Sequence, residues 1–346
     1  MNDLDAFMAT MVARSTPLAV ERALVLVQER YGLETTATRL TGERDENFRL
    51  RAADGAEYVL KIAHSAEEPA VTELATAALL HIAETDPGLP CPRVVRERAG
   101  ASHVRFVDDG GSERTARVLT YLTGKLLGTA ARSARQRHAC GNVAGRLSHA
   151  LRNFEHAAAH RAIVWDVRHA GELRRLLAEQ PDFPHRPAAA ELLERIVPRI
   201  ESRLPRLRHQ VVHNDINPLN VLVDPADEAQ VCGVIDFGDL THTALIADVA
   251  VAAAEQIPPD CGDDARLARA AMLDIAAAYH EIEPLEEAEL ALLGTLTAAR
   301  LAANLVVHEW HVHQNPGGGH YAPLDADFIR ARLGIARELS REEIRL

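Results

Sequence analysis

The sequence predicts an α+β chain in which a small antiparallel sheet precedes a larger, mostly helical part. Three observations predict it. Period-two apolar strands are confined to the first third, and Ala- and Leu-rich helical periodicity dominates after about Thr123. One short hairpin, between Val221 and Ile235, interrupts those helices. At 346 residues the chain is long enough for one large or two moderate domains. We place an N-terminal lobe at 1–119, a hinge at 120–122 and a helical lobe at 123–346. Aromatic residues make up 4% of the chain, so the core must be built from Leu, Val and Ala.

Residues 1 to about 31 read as helix, with Leu18, Val20, Ala23, Leu24, Val27 and Tyr31 on its apolar face and Gly32 as its stop. Arg39–Leu50 and Glu57–Ile62 read as strands around a turn at Ala53-Asp54-Gly55. In the second, Tyr58, Leu60 and Ile62 face one way while Val59 and Lys61 face the other. A helix follows from Pro69 to about Ala83, with Thr72-Glu73 in its first turns, and Pro87, Pro90 and Pro92 end the helical pattern. Val104–Val107 and Arg117–Tyr121 complete a five-stranded sheet. No internal repeat is present, and Gly317-Gly318-Gly319 reads as a flexible loop.

The chemistry is written in Val211-Val212-His213-Asn214-Asp215-Ile216-Asn217-Pro218-Leu219-Asn220 and in Asp236-Phe237-Gly238, sixteen residues after Asn220. Val221-Leu222-Val223 and Val231-Cys232-Gly233-Val234-Ile235 read as strands around a turn at Asp224-Pro225-Ala226-Asp227. Folding that pair as a hairpin returns Asp236 beside Asn220. An amide oxygen and a carboxylate then converge as hard ligands suited to Mg²⁺. Asp215 lies one short loop away, where it can orient or deprotonate a hydroxyl. This layout points to phosphoryl transfer.

These blocks resemble the aminoglycoside phosphotransferase family, and within it the hydroxylysine kinase-like branch. The branch is also echoed at Asp45-Glu46-Asn47-Phe48, at Trp165-Asp166 and from Asp236 to Asp248. The family's usual Gly between the His and the Asp is Asn214 here. The resemblance implies a protein-kinase-like two-lobe fold that phosphorylates small-molecule hydroxyls with a Mg²⁺-bound nucleotide, ATP or GTP. It implies Asp215 as the catalytic base, Asn220 and Asp236 as metal ligands, His213 as packing for the loop, and Asp248 as its brace. Asp239 fits this pattern and fits a turn or helix cap equally well.

A strand Lys followed within a dozen residues by a helical Glu matches the ion pair that holds nucleotide phosphates in kinases. Lys61 is therefore expected on the phosphates with Glu73 as its anchor, Glu67 and Glu68 being rivals for that place. The phosphate-covering turn is Leu40 to Phe48, including Asn47, and holds a single Gly. The base is expected against Leu119-Thr120-Tyr121-Leu122, with the backbone at Thr120 and Leu122 reading its edge. A P-loop is excluded, because Gly124-Lys125 lacks both the following Ser or Thr and the earlier Gly.

For the acceptor, Arg300 and Asn304 stand at i and i+4 on an Ala-rich helix, 291–307, and are expected to take a substrate carboxylate. An Arg pairing with a helix neighbour is the plainer alternative. Asp166 is expected to take an ammonium or to anchor a helix. A hydroxylated amino acid or amino alcohol is the preferred acceptor. An aminoglycoside would want carboxylates such as those of Glu281–Glu289, which also read as solvated surface and a helix N-terminus. A nucleotide-binding pseudokinase is disfavoured because Lys61, Asp215, Asn220 and Asp236 are all present.

A net charge of −12 argues against nucleic acid or an anionic membrane as partner. Cys91, Cys140, Cys232 and Cys261 form no C-x-x-C pair, which fits free thiols in a reducing compartment. Asp3 and Asp5 stand where a signal peptide wants positive charge, and no membrane span is predicted, so the expected location is the cytoplasm. His308-Glu309-Trp310-His311 lacks the second His at i+4 that a zinc helix requires.

Overall fold

Two helices, α1 (Asp3–Val12) and α2 (Val20–Tyr31), occupy the stretch expected to be one. Pro17 explains the break, since proline donates no N–H and disfavours helix in the residue before it. Gly32, at φ +70°, closes α2 by donating its N–H to Gln28 O. The computed structural model describes residues 3–13, 15–42, 44–315, 322–341, 343–344 and 346. The Gly317-Gly318-Gly319 loop lies outside them. The chain divides into two units, Ala9–Thr123 and Gly124–Leu346, the second joined by Met1–Met8.

The first unit is built on one antiparallel sheet. Its elements are β1 (Thr35–Leu40), β2 (Glu46–Ala52), β3 (Glu57–Ile62), α3 (Pro69–Thr85), β4 (Val94–Val95), β5 (Val104–Val107) and β6 (Glu113–Thr120). The order is β1-β2-β3-β6-β4, and β5 shares the outer edge of β6 with β4. Six strands stand where four stretches were read as a five-stranded sheet; β4 is too short to carry a periodic signal. The Arg39–Leu50 stretch is likewise two strands and a tight turn. A Cβ on Gly42 would lie 2.3 Å from Asp45 O, so that turn closes only with glycine. Phe48, Leu50, Leu60, Ile62 and Val118 bury one face of the sheet against Ala23, Leu26 and Val27 of α2. Period two then puts Lys61 on the opposite face.

Glu46 ties this unit together. It accepts from Leu18 N at 2.9 Å, from Arg39 and, at 2.6 Å, from the buried Arg114, which also donates twice to Ala63 O. Burial opposes its ionisation, yet the hydrogen bonds from Arg39 and Arg114 hold its carboxyl below the ordinary range.

The second unit begins with β7 (Lys125–Leu126) and α4 (Ala134–Ala150), then α5 (Leu173–Ala178) and α6 (Arg186–Arg203). Strands β8 (His209–Val212), β9 (Val221–Asp224), β10 (Asp227–Val234) and β11 (Thr241–Ala244) follow. Helices α7 (Leu245–Gln256), α8 (Ala265–Ile282), α9 (Glu287–Gln314) and α10 (Ala326–Leu339) complete it. A Cβ on Gly141 of α4 would lie 2.4 Å from Ile275 O of α8, so glycine permits that close helix pair. Helix α9 starts with a capping box between Glu286 and Glu289. It is long and apolar enough to cross a bilayer, but 89% of its most apolar window is buried inside the protein, as for a core helix.

Candidate active site

Three short pairings in the second unit assemble the loop expected to be catalytic. Strand β8 delivers His213 and pairs antiparallel with β11, which leaves the Asp236–Asp239 turn, so both loops hang from one ribbon. The β9–β10 hairpin forms as the alternating residues predict, with a bulged register before Val234. Its base is closed by Ile235 N donating to Asn220 O at 2.8 Å, which fixes Asp236 beside Asn220.

Within the loop, Asp215 is held from three directions. Arg300 Nη2 and Asn217 Nδ2 each donate to Oδ1 at 2.9 Å, and Asn220 Nδ2 donates to Oδ2 at 2.7 Å. Its side chain is 19% exposed, so one edge still reaches solvent. Burial pushes its carboxyl up to about 7; Arg300 and the Asn217 amide oppose that rise, while Asp239 and Glu255 add to it. Asp236 is exposed, with Oδ1 accepting the Gly238 N–H at 3.2 Å.

Two residues here adopt left-handed backbone, Asn214 and Asp236, each at φ +63°. Asn and Asp tolerate that region better than other side chains. The fully buried His213 packs edge-on to Phe237 with ring centroids 4.8 Å apart, and its Nδ1 accepts the Asp215 N–H at 3.3 Å. Burial drives its imidazole down to about 4, so it is neutral at physiological pH and serves as packing. Asp248, on the first turn of α7, accepts the Asn214 N–H at 2.7 Å.

Several expected placements need correction. Arg300 is not free to receive an acceptor carboxylate. Its side chain is 4% exposed, Nε donates to Glu255 Oε1 at 3.0 Å, Nη1 to Trp165 O at 3.3 Å, and Nη2 reaches Asp215. Asn304 shares its face and donates to the same Glu255 oxygen at 2.8 Å. Asp166 is fully buried and anchors a helix start. Oδ1 accepts from Arg168 N at 2.9 Å and from Thr243 Oγ1 at 3.1 Å, and Oδ2 lies 3.1 Å from Arg168 Nη2, so of the two expected roles the buried carboxylate takes the helix anchor.

The acidic run before α9 is also engaged. Glu283 and Glu289 are buried and paired with Arg208, and Glu283 also meets Arg152 and His149. Two further arginines were not anticipated. Arg161 donates to Gly238 O and Leu240 O, and Arg168 to His242 O, so both grip the segment after Asp236. Glu255 was missed as well, although it follows Asp248 by seven residues, two turns along one face of α7. No group of three or more His, Cys, Asp or Glu residues arranged for a metal occurs among the described residues.

In the sheet unit, Lys61 is nearly buried and lies 3.7 Å from Asp45 Oδ2. Glu73 does not meet it. Helix α3 turns Glu73 to its exposed side, where Arg105 stands at 3.2 Å and His103 at 3.8 Å; the rival Glu67 pairs with Arg44. Asn47 lies in strand β2 opposite Lys61, not in the covering turn where it was expected; its buried Oδ1 has no partner among the described residues, and Nδ2 approaches Asp45 O at 3.4 Å. Thr120 closes against Arg93 through its backbone N–H and its hydroxyl. The backbone of Leu122, just beyond β6, makes no hydrogen bond to the described residues.

The model of the phosphotransferase enzyme family matches residues 36–308, which take in nearly all of the sheet, the loop that carries Asp215, the Asp236–Asp239 turn and most of α9. The chain belongs to that family. This phosphotransferase is 25% identical to the hydroxylysine kinase of Mus musculus over 343 residues, covering 91% of the chain and 88% of the mouse protein. Among solved structures it is similar to the amicoumacin kinase hAmiN in complex with AMP-PNP, Ca²⁺ and Ami, with a TM-score of 0.69 at 16% identity and 93% of each chain covered. It is also similar to the microcompartment-associated aminopropanol kinase, with a TM-score of 0.66 at 18% identity over 94% of this chain and 99% of that one. Both structures share its fold, the protein-kinase-like α+β arrangement expected from the sequence.

Proposed function

We propose that this phosphotransferase is a small-molecule kinase that transfers the γ-phosphoryl of a Mg²⁺-bound nucleotide, ATP or GTP, to the hydroxyl of an amino alcohol or hydroxylated amino acid. The observation that carries the reading is the placement of Asp215. Its carboxylate is hydrogen-bonded to Asn220, and Asn220 is joined through Ile235 to the turn that carries Asp236. The hydroxylysine and aminopropanol kinases named above support the acceptor class.

The donor set fits Mg²⁺. Asn220 uses its amide nitrogen on Asp215, which leaves its oxygen for a cation, and Asp236 supplies an exposed carboxylate. One carboxylate and one amide, completed by nucleotide phosphates, is an ordinary Mg²⁺ environment. When bound, the ion neutralises charge on the β- and γ-phosphates. Lys61 meets the α- and β-phosphates in this reading, Asn47 stands beside it on β2 next to the turn that covers them, and the backbone at Thr120 and Leu122 reads the base. Glu73 holds no part in it, being turned to Arg105.

Asp215 orients the acceptor hydroxyl and receives its proton late, because the loose transition state asks little covalent work of the protein. Asp248 and His213 hold the loop that carries it. Asp215→Asn tests the assignment: turnover should fall by roughly 10²–10⁴-fold while Mg²⁺-nucleotide binding persists. Equal turnover by the variant would sink the mechanism. The site calls for no membrane or nucleic acid, and we place its action in the cytoplasm.

A further inference from the structure

We propose that Glu255 positions the catalytic carboxylate, acting through Arg300. The proposal rests on the reading of Asp215 as the group that orients and deprotonates the acceptor, and it adds a residue that no motif supplies.

The Nε and Nη2 edge of a guanidinium ordinarily receives both oxygens of a single carboxylate. In this protein that edge is shared. Nε donates to Glu255 Oε1 at 3.0 Å, and Nη2 donates to Asp215 Oδ1 at 2.9 Å. The other side of the fork is closed by Trp165, whose carbonyl accepts from Nη1 and whose ring lies 5.3 Å beneath the guanidinium carbon. Asn304, one turn further along α9, donates to the same Glu255 oxygen at 2.8 Å. Glu255 is thus pinned at two points of α9, and the planar group between it and Asp215 has no freedom to swing.

That sharing has a consequence for Asp215. An ionised carboxylate offers about four acceptor positions. Asn217 and Arg300 take Oδ1, and Asn220 takes one position on Oδ2. The position left on Oδ2 is where an acceptor hydroxyl can bind. Without Glu255, nothing holds Nε away from Asp215, and the guanidinium can close on both carboxylate oxygens. Asp215 would then turn, and its remaining position would be lost to the acceptor.

The test uses Glu255→Ala, Glu255→Gln and Arg300→Lys in the full chain, with Mg-ATP and two acceptors, ethanolamine without a carboxylate and homoserine with one. Glu255→Ala should lower kcat for both acceptors by about 10²-fold, the scale of a displacement of roughly 1 Å at the reacting group. Acceptor KM and Mg-nucleotide affinity should stay unchanged. Glu255→Gln keeps an oxygen for Nε and should recover most of kcat. Arg300→Lys keeps the charge but cannot span two carboxylates, so it should behave like Glu255→Ala. The double variant Glu255→Ala, Arg300→Lys should be no slower than Arg300→Lys alone.

If Glu255→Ala fails to fold, the contrast between the Gln and Lys variants decides. Recovery by Gln with loss by Lys supports positioning. The proposal is overturned if the variants raise KM for homoserine alone, which would make Arg300 a carboxylate receptor. It is overturned equally by kcat values that do not change. Absence of phosphorylated product from the wild-type chain with either acceptor would instead contradict the acceptor class assigned to the site.

Discussion

Asp248 Oδ1 accepts the backbone N–H of Asn214 at 2.7 Å, from a residue thirty-four positions away and fully buried on α7. The bond explains how a left-handed backbone is kept inside the loop that carries Asp215. It also puts a carboxyl in apolar surroundings, where burial pushes it up to about 7 against the pull of the Asn214 and His213 peptide N–H groups.

Replacing Asp248 separates the hydrogen bond from the charge. Asp248→Asn keeps an acceptor oxygen and should be tolerated. Asp248→Ala leaves a buried N–H unpaired and should cost roughly 1–3 kcal/mol, a fall of several degrees in Tm. Thermal unfolding of the two variants checks this, and equal losses would contradict it.

Asn214 offers a stabilising change. At φ +63° its side-chain amide is buried with neither polar atom partnered among the described residues. Glycine takes that backbone without strain and removes the unpaired amide, a burden of about 1–3 kcal/mol. Asn214→Gly should therefore raise Tm and preserve kcat. A lower Tm would show that the amide makes a favourable interaction.

The rate should depend on the charge state of Asp215. Its carboxyl is pushed up to about 7 from an ordinary 3.8, so the proton-accepting form is the minor species in acid and the major one above neutrality. At saturating Mg-nucleotide, kcat/KM should rise with pH through this region, about tenfold per unit on the acid side. Arg300→Met removes the cation that opposes the rise and should shift the limb to higher pH. A flat profile across neutrality would contradict the assignment.

What the sequence shows of this site follows from how local the information is. Asp215, Asn220 and Asp236 are joined by a loop and a hairpin within twenty-two positions, and strand alternation with a Pro-containing turn is enough to bring them together. Arg300 is visible as a helix residue, but its partner depends on how α9 packs on α7, which no spacing encodes. Glu255 lies at the end of an Ala-rich helix and belongs to no motif; only its seven-residue offset from Asp248 hints at an inward face. Glu73 fails for a similar reason, since the phase of α3 against the sheet is set by Leu74, Ala75, Ala78 and Leu79, which bury the face beside it. At the fold level, β4 goes unseen because two residues have no period.

Metal removal should act on the nucleotide and not on the fold. Asp236→Ala should weaken Mg²⁺-dependent nucleotide binding, whereas Asp215→Asn should not, because the assigned ligands are Asp236 and Asn220 and not Asp215. Titration calorimetry with and without EDTA separates them. Identical affinity in the Asp236 variant would remove that residue from the metal site.

The most direct measurement is nucleotide consumption by the purified chain with Mg²⁺, ATP and GTP in parallel, against hydroxylysine, homoserine, ethanolamine, choline and a set of aminoglycosides. Phosphorus NMR would identify the phosphorylated product. The predicted result is acceptor-dependent turnover with an amino alcohol or hydroxylated amino acid, lowered roughly 10²–10⁴-fold in Asp215→Asn, which still binds Mg-nucleotide. Tight Mg-nucleotide binding without phosphorylated product from any hydroxyl, or undiminished turnover by Asp215→Asn, would contradict the account.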